Sequence, residues 1–236
     1  MTGTPSRLRR IAAWGVHLFT ASSAPAALLA LMAITRGDAR TAFWCMAFTI
    51  AVDALDGTLA RAVEVKRVLP KVDGARLDDC VDYVTYVIVP AFFLIHMDML
   101  PRGLALPVAG FVAVASGYGF AQTDAKTPDH YFTGFPSYWN IVVFYLWALH
   151  FRPVTNAAIV TAFAIGVFVP LHYVYPSRTT VLRPLTVGGG LAWAALVLAS
   201  LIVPEAKAST LLWVSLAYPV YYFALSFALH LRELAS

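Results

Sequence analysis

Eight apolar runs, most of them long enough to cross a hydrocarbon layer of about 30 Å, occupy most of this chain and leave little room for any other architecture. They fall at roughly 11–35, 41–63, 77–99, 103–122, 135–151, 154–175, 184–203 and 210–231, the fifth being short. Turn-rich separators divide them: Arg36-Gly37-Asp38, Pro101-Arg102-Gly103, the polar stretch Thr123 to Phe135, and Pro176-Ser177-Arg178. In lipid a backbone must satisfy its own hydrogen bonds, and helices do so without closing a barrel. The expectation is an all-α integral membrane protein of about eight transmembrane helices, forming a single polytopic domain over residues 1–236.

Composition agrees. Hydrophobic residues make up 60% of the 236 and charged residues 13%, against about 25% charged in soluble domains. The formal charge of +4 does not point to nucleic acid, because the basic residues flank apolar runs and form no extended basic face. Counted by alternate loops, 12 Lys and Arg share the side of the N-terminus, the 61–76 loop, the 123–134 loop with Lys126, the 176–183 loop and the C-terminus, against 5 opposite. The positive-inside rule then places both termini in the cytoplasm. The first run is too long for a signal-peptide core of about 7 to 15 residues and reads as a retained span. Cys45 and Cys80 lack metal or redox spacing and read as small packing residues.

Against this apolar background stand Asp53, Asp56, Asp78 and Asp82. An aspartate near a bilayer centre costs roughly 2.5 to 3.5 kcal/mol, so four at helical spacing need a compensating ligand. Asp53, Asp56, Gly57, Ala60 and Arg61 follow an i, i+3, i+4, i+7, i+8 stripe on the second helix, and Gly74, Asp78 and Asp82 follow i, i+4, i+8 on the third. The small residues leave room for close helix approach or for a ligand against the backbone. Asp73 is placed to cap the third helix, whose N-terminal dipole favours anionic phosphates. Hard oxygen ligands select Mg²⁺ or Mn²⁺, ions commonly shared between carboxylates and substrate phosphates. Arg61 can add a bidentate phosphate contact. A pyrophosphate so held can undergo in-line displacement, one carboxylate taking the acceptor's proton.

The frame Asp53-x2-Asp56-Gly57-x2-Ala60-Arg61 followed by Gly74-x3-Asp78-x3-Asp82 resembles the signature of the CDP-alcohol phosphotransferases, with eight identities at fixed spacing over residues 53–82. The resemblance implies a helical membrane core in which Asp53, Asp56 and Asp78 bind metal, with two divalent ions at the site. It implies further that Asp82 serves as metal ligand and general base, and that Gly57, Ala60, Arg61 and Gly74 shape the cytidine diphosphate site with Asp56 and Asp78. Twelve residues separate Arg61 from Gly74, where most of that family has eight. The longer gap is similar to the bacterial branch that joins CDP-diacylglycerol to free choline. That branch implies Mn²⁺ in preference to Mg²⁺, an active site on the cytoplasmic face of the inner membrane, and a homodimer.

Other residues carry weaker signals. Asp79 points about 100° away from Asp78 and should lie outside the metal shell. Glu64 stands at i+3 from Arg61 and reads as its ion-pair partner. The six histidines are scattered and read as packing residues; Gly188, Gly189 and Gly190 read as a close helix crossing, and Pro170 and Pro219 as kinks. Tyr86, Tyr118, Tyr138 and Trp139 are candidates for an aromatic wall around choline's quaternary ammonium. Serine, glycerol phosphate or inositol phosphate are alternative acceptors. A phosphorylated one would want more basic residues beyond the third helix than Lys126, Arg178, Arg183 and Arg232. A cation transporter is the non-enzyme alternative, but no inverted repeat of the acidic pattern appears in later runs.

Overall fold

The computed structural model of the protein describes residues 5–125, 127, 129, 131–176 and 178–234. Lys126, His130 and Ser177 lie outside the described residues. The chain divides into two compact units, Met1–Met97 and Asp98–Ser236.

The first unit holds the whole acidic frame. Helix α1 (Arg7–Ala21) starts at Ser6, whose hydroxyl accepts from the Arg9 amide, and turns at Ser22 into α2 (Ser23–Thr35). Gly37, at φ +73°, ends that hairpin arm. Asp38 then caps α3 (Ala39–Ala62), accepting from the amide and hydroxyl of Thr41, and these two bonds hold its carboxyl below the usual carboxylate range. The 12-residue gap contains a further element, the one-turn helix α4 (Val65–Val68). Val65 and Val68 are buried with Ala13 and Val16 of α1, and Ala60, Val63 and Leu69 pack around them. Asp73 caps α5 (Gly74–Asp82) as expected, its carboxylate accepting from the amides of Ala75 and Arg76 at 3.1 and 3.3 Å. A π-helical turn, Tyr83–Ile88, follows Asp82 and leads into α6 (Val89–His96). Helix α1 packs on α3, α4 and α5, while α2 packs on α3 and α6. Cys45 and Cys80 are free thiols.

The second unit comprises α7 (Ala105–Ala121), β1 (Tyr131–Thr133), α8 (Trp139–Ala148), α9 (Pro153–Gly166), β2 (His172–Val174), α10 (Arg183–Ile202), α11 (Glu205–Ser215) and α12 (Ala217–Leu234). Strands β1 and β2 form an antiparallel ribbon, Phe132 opposite Tyr173, a small exception to the all-helical expectation. Gly134, which follows β1, stands at φ +78°, where any Cβ would run into the carbonyl of Val167. Gly189 and Gly190 face the ring of Tyr218, whose hydroxyl donates to the carbonyl of Thr186, so the glycines mark a close crossing of α10 and α12. Pro219 sits in the first turn of α12 beside the α11 break, and Pro170 lies between α9 and β2.

All eight apolar runs contain helix, and five helical stretches are long and apolar enough to cross a membrane: Arg7–Thr35, Ala39–Ala62, Gly74–His96, Arg183–Ile202 and Lys207–Arg232. The runs at 103–122, 135–151 and 154–175 give helices of 17, 10 and 14 residues. Ten residues rise only about 15 Å, half a hydrocarbon core. The last of these runs gives up its end to β2, which hydropathy does not distinguish from helix. Only 17 to 44% of each membrane-length apolar window is buried. Leu106, Val114, Leu191 and Ile202, each at least 70% exposed, show the same outward apolar surface, as lipid as solvent requires.

Candidate active site

Helix α3 carries Asp53 and α5 carries Asp78 and Asp82, all half-buried, and one carboxylate oxygen from each lies within 4.8 Å of the other two. Three negative charges at this separation repel by about 3 kcal/mol per pair at an effective dielectric near 20, which a bound cation reverses. Two oxygens on one Mg²⁺, at about 2.1 Å each, stand at most about 4.2 Å apart, so the triad needs only a small closure to share an ion. The donors are all hard oxygens, with no thiolate or imidazole in the set, and fit Mg²⁺ or Mn²⁺ rather than zinc.

Asp56, one turn along α3, is 6% exposed and stands outside that triad. Its Oδ2 accepts the hydroxyl of Thr20 on α1 at 2.9 Å. Asp53 is held from the other side, because the Tyr86 hydroxyl donates to its Oδ2 at 2.7 Å. Tyr86 reaches it from the π-helical turn, whose extra residue per turn re-aims the side chains that follow Asp82. Of the four aromatic candidates, Tyr86 belongs to the first unit and touches the acidic frame there through Asp53. In the second unit Trp139 is fully buried and its indole donates to Ser116 at 2.7 Å, Tyr138 stands edge-on to Tyr222 at 6.3 Å, and half-exposed Tyr118 lies 5.0 Å from Phe168.

The smaller residues of the frame clear space. A Cβ on Gly57 would touch the Arg61 guanidinium at 3.4 Å, so the arginine folds back over the glycine, donating to Thr58 at 3.0 Å. A Cβ on Gly74 would come to 3.0 Å of the His17 ring. Ala60 packs on the Val65 and Val68 cluster. Asp79 is exposed and outside the triad, in line with its helical angle. Glu64 does not pair with Arg61. It adopts a left-handed backbone at φ 56°, which turns it toward Arg67 at 3.4 Å and Arg9 at 3.7 Å.

Sequence reasoning missed Thr20 and the anchoring role of Tyr86. The available signal was the polar residues His17 and Thr20 on the buried face of α1, beside Ala13 and Val16.

Fold and site together define a polytopic membrane protein whose intramembrane carboxylate triad can hold a divalent cation. No family model matches the chain. Phosphatidylcholine synthase of Legionella pneumophila is 49% identical over 168 residues, 71% of this chain and 66% of that protein, so the aligned part spans just under two thirds of that relative. Phosphatidylcholine synthase of Rhizobium meliloti is 37% identical over 82% of this chain and 80% of its own length, and that of Bradyrhizobium diazoefficiens 38% over 95% and 87%. The chain belongs to the phosphatidylcholine synthase family.

Proposed function

We propose that the protein transfers the phosphatidyl group of CDP-diacylglycerol to choline, releasing CMP and leaving phosphatidylcholine. The observation that carries this reading is the convergence of Asp53, Asp78 and Asp82 within 4.8 Å in a chain of the phosphatidylcholine synthase family. These three residues would hold the divalent ion, with Mn²⁺ favoured and a second ion shared with Asp56. Bound there, the metal supplies charge neutralisation for the pyrophosphate and for the oxygen that departs with CMP.

The residues of the chain do the rest. Tyr86 orients Asp53 and Thr20 orients Asp56. Arg61, folded over Gly57, can swing to a phosphate oxygen, and the first turn of α5 presents its dipole to the same charge. Asp82 accepts the proton of the choline hydroxyl as its oxygen forms a bond to the lipid-bearing β-phosphorus and the bond from that phosphorus to the CMP oxygen breaks. Choline brings a fixed positive charge, which the carboxylate field and an aromatic face such as Tyr86 attract.

The test is an acceptor panel with CDP-diacylglycerol, the lipid product read by mass spectrometry. Choline should yield phosphatidylcholine and stoichiometric CMP. Ethanolamine should react poorly, because its hydrated N–H donors find no partners on an aromatic wall. Phosphatidylserine or phosphatidylglycerophosphate formed faster than phosphatidylcholine would overturn the acceptor. The 12 to 5 basic asymmetry also supports a cytoplasmic position for both termini and for the active face. Reporter fusions should show a cytoplasmic C-terminus, and an external one would move the active site to the other face.

A further inference from the structure

His17 is a buried polar side chain that the carboxylate chemistry does not use. It lies one turn before Thr20 on α1, 5% exposed, with Trp14 edge-on at 6.0 Å. Its Nε2 is sealed from solvent and makes no hydrogen bond. A purely structural histidine satisfies its ring nitrogens, because a buried polar atom without a partner is costly. The Nδ1–Cε1 edge of the ring rests on Gly74, where a Cβ would stand 3.0 Å from Cε1 and 3.6 Å from Nδ1. The imidazole therefore abuts the motif glycine that opens α5, on the same face of α1 as the Thr20 that holds Asp56.

We propose that His17 Nε2 hydrogen-bonds the CMP portion of CDP-diacylglycerol and of the released nucleotide, making His17 a substrate-binding residue. Among the reactants, the hydrocarbon tails offer no polar atoms, the glycerol esters only neutral oxygens, and choline only a hydroxyl beside a cation. The nucleotide offers phosphate, ribose and base oxygens, and the dipole of α5 and Arg61 favour its anionic part. Gly74 has no side chain where His17 and the nucleotide would both need to approach the backbone, so the two residues form one seat. This inference rests on the CDP-diacylglycerol reading above.

The experiment compares purified wild-type protein with His17→Phe, which keeps a planar ring, and His17→Gln, which keeps an N–H donor. The readouts are CMP affinity, KM for each substrate and the thermal midpoint. His17→Phe should weaken CMP binding and raise KM for CDP-diacylglycerol by about tenfold or more, the worth of one hydrogen bond to a charged group. KM for choline should stay within about twofold, and His17→Gln should recover part of the CMP affinity. A folded His17→Phe protein that binds CMP as tightly as wild type would overturn the proposal. Should the Phe variant not fold, His17→Ala carries the same comparison, and restoration of its CMP affinity by added imidazole supports the contact. Failure of both to fold overturns it, because the ring would then be core. Wild-type protein that binds no CMP would instead defeat the transferase reading itself.

Discussion

Asparagine at Asp53, Asp78 or Asp82 is expected to lower turnover by at least about a hundredfold to a thousandfold, the scale of removing one preorganised charge contact from a transition state. The substitution keeps side-chain volume and removes a charge, so packing along the α3 and α5 hairpin should survive. Asp79→Asn, on an exposed face outside the triad, should stay within about threefold of wild type. Asp56→Asn is also expected to be inactive; its amide oxygen can still accept from Thr20, so its loss would report charge rather than a broken contact with α1. Asp82→Asn should spare CMP binding more than Asp56→Asn does, because its proposed task is to take the acceptor's proton. The decisive measurement is the rate of CMP release by purified protein of confirmed fold. Near-normal turnover in Asp78→Asn would remove the triad from the chemistry.

Metal removal should be as severe. With chelator in excess, activity should fall to baseline, and Mn²⁺ or Mg²⁺ should restore it. A second readout does not depend on turnover. A cation that relieves about 3 kcal/mol of repulsion per carboxylate pair binds the folded state preferentially, and ligand at 100 times its Kd adds about 2.7 kcal/mol of stability. Mn²⁺ should therefore raise the thermal midpoint of the wild-type protein, and Asp78→Asn should lose most of that rise. Full activity in EDTA, with elemental analysis finding no retained metal, would overturn the metal-dependent mechanism.

Much of this site is legible along the chain because a helix repeats every 3.6 residues. That period puts Asp78 and Asp82 on one stripe and Asp79 off it, and the structure gathers the first two with Asp53. The cap at Asp73 is equally local, since a carboxylate reaches amides two and three residues ahead. What escaped depends on contacts between distant segments. Thr20 meets Asp56 across 36 positions and Tyr86 meets Asp53 across 33, distances over which no periodicity speaks. Spacing pairs Glu64 with Arg61, but the left-handed backbone at Glu64 turns its side chain toward Arg67 and Arg9. The scattered positions of the histidines point to packing, and spacing along the chain does not reveal that the buried Nε2 of His17 lacks a partner.

Hydropathy determined by itself that this chain is helical and belongs in a membrane, because lipid excludes unpaired backbone whatever the tertiary contacts are. The fixed spacing of eight residues over positions 53–82 likewise determined the acidic frame and its resemblance. Tertiary structure decided which oxygens converge. It set Asp56 apart from the triad, folded the 12-residue gap into α4 against α1, and inserted a π-helical turn that carries Tyr86 back to Asp53. It also decided that the run at 135–151 is helical over only ten residues and that the one at 154–175 ends in a strand. Apolar character sets where a residue prefers to be, while hydrogen-bond partners and packing between segments set the shape it takes there.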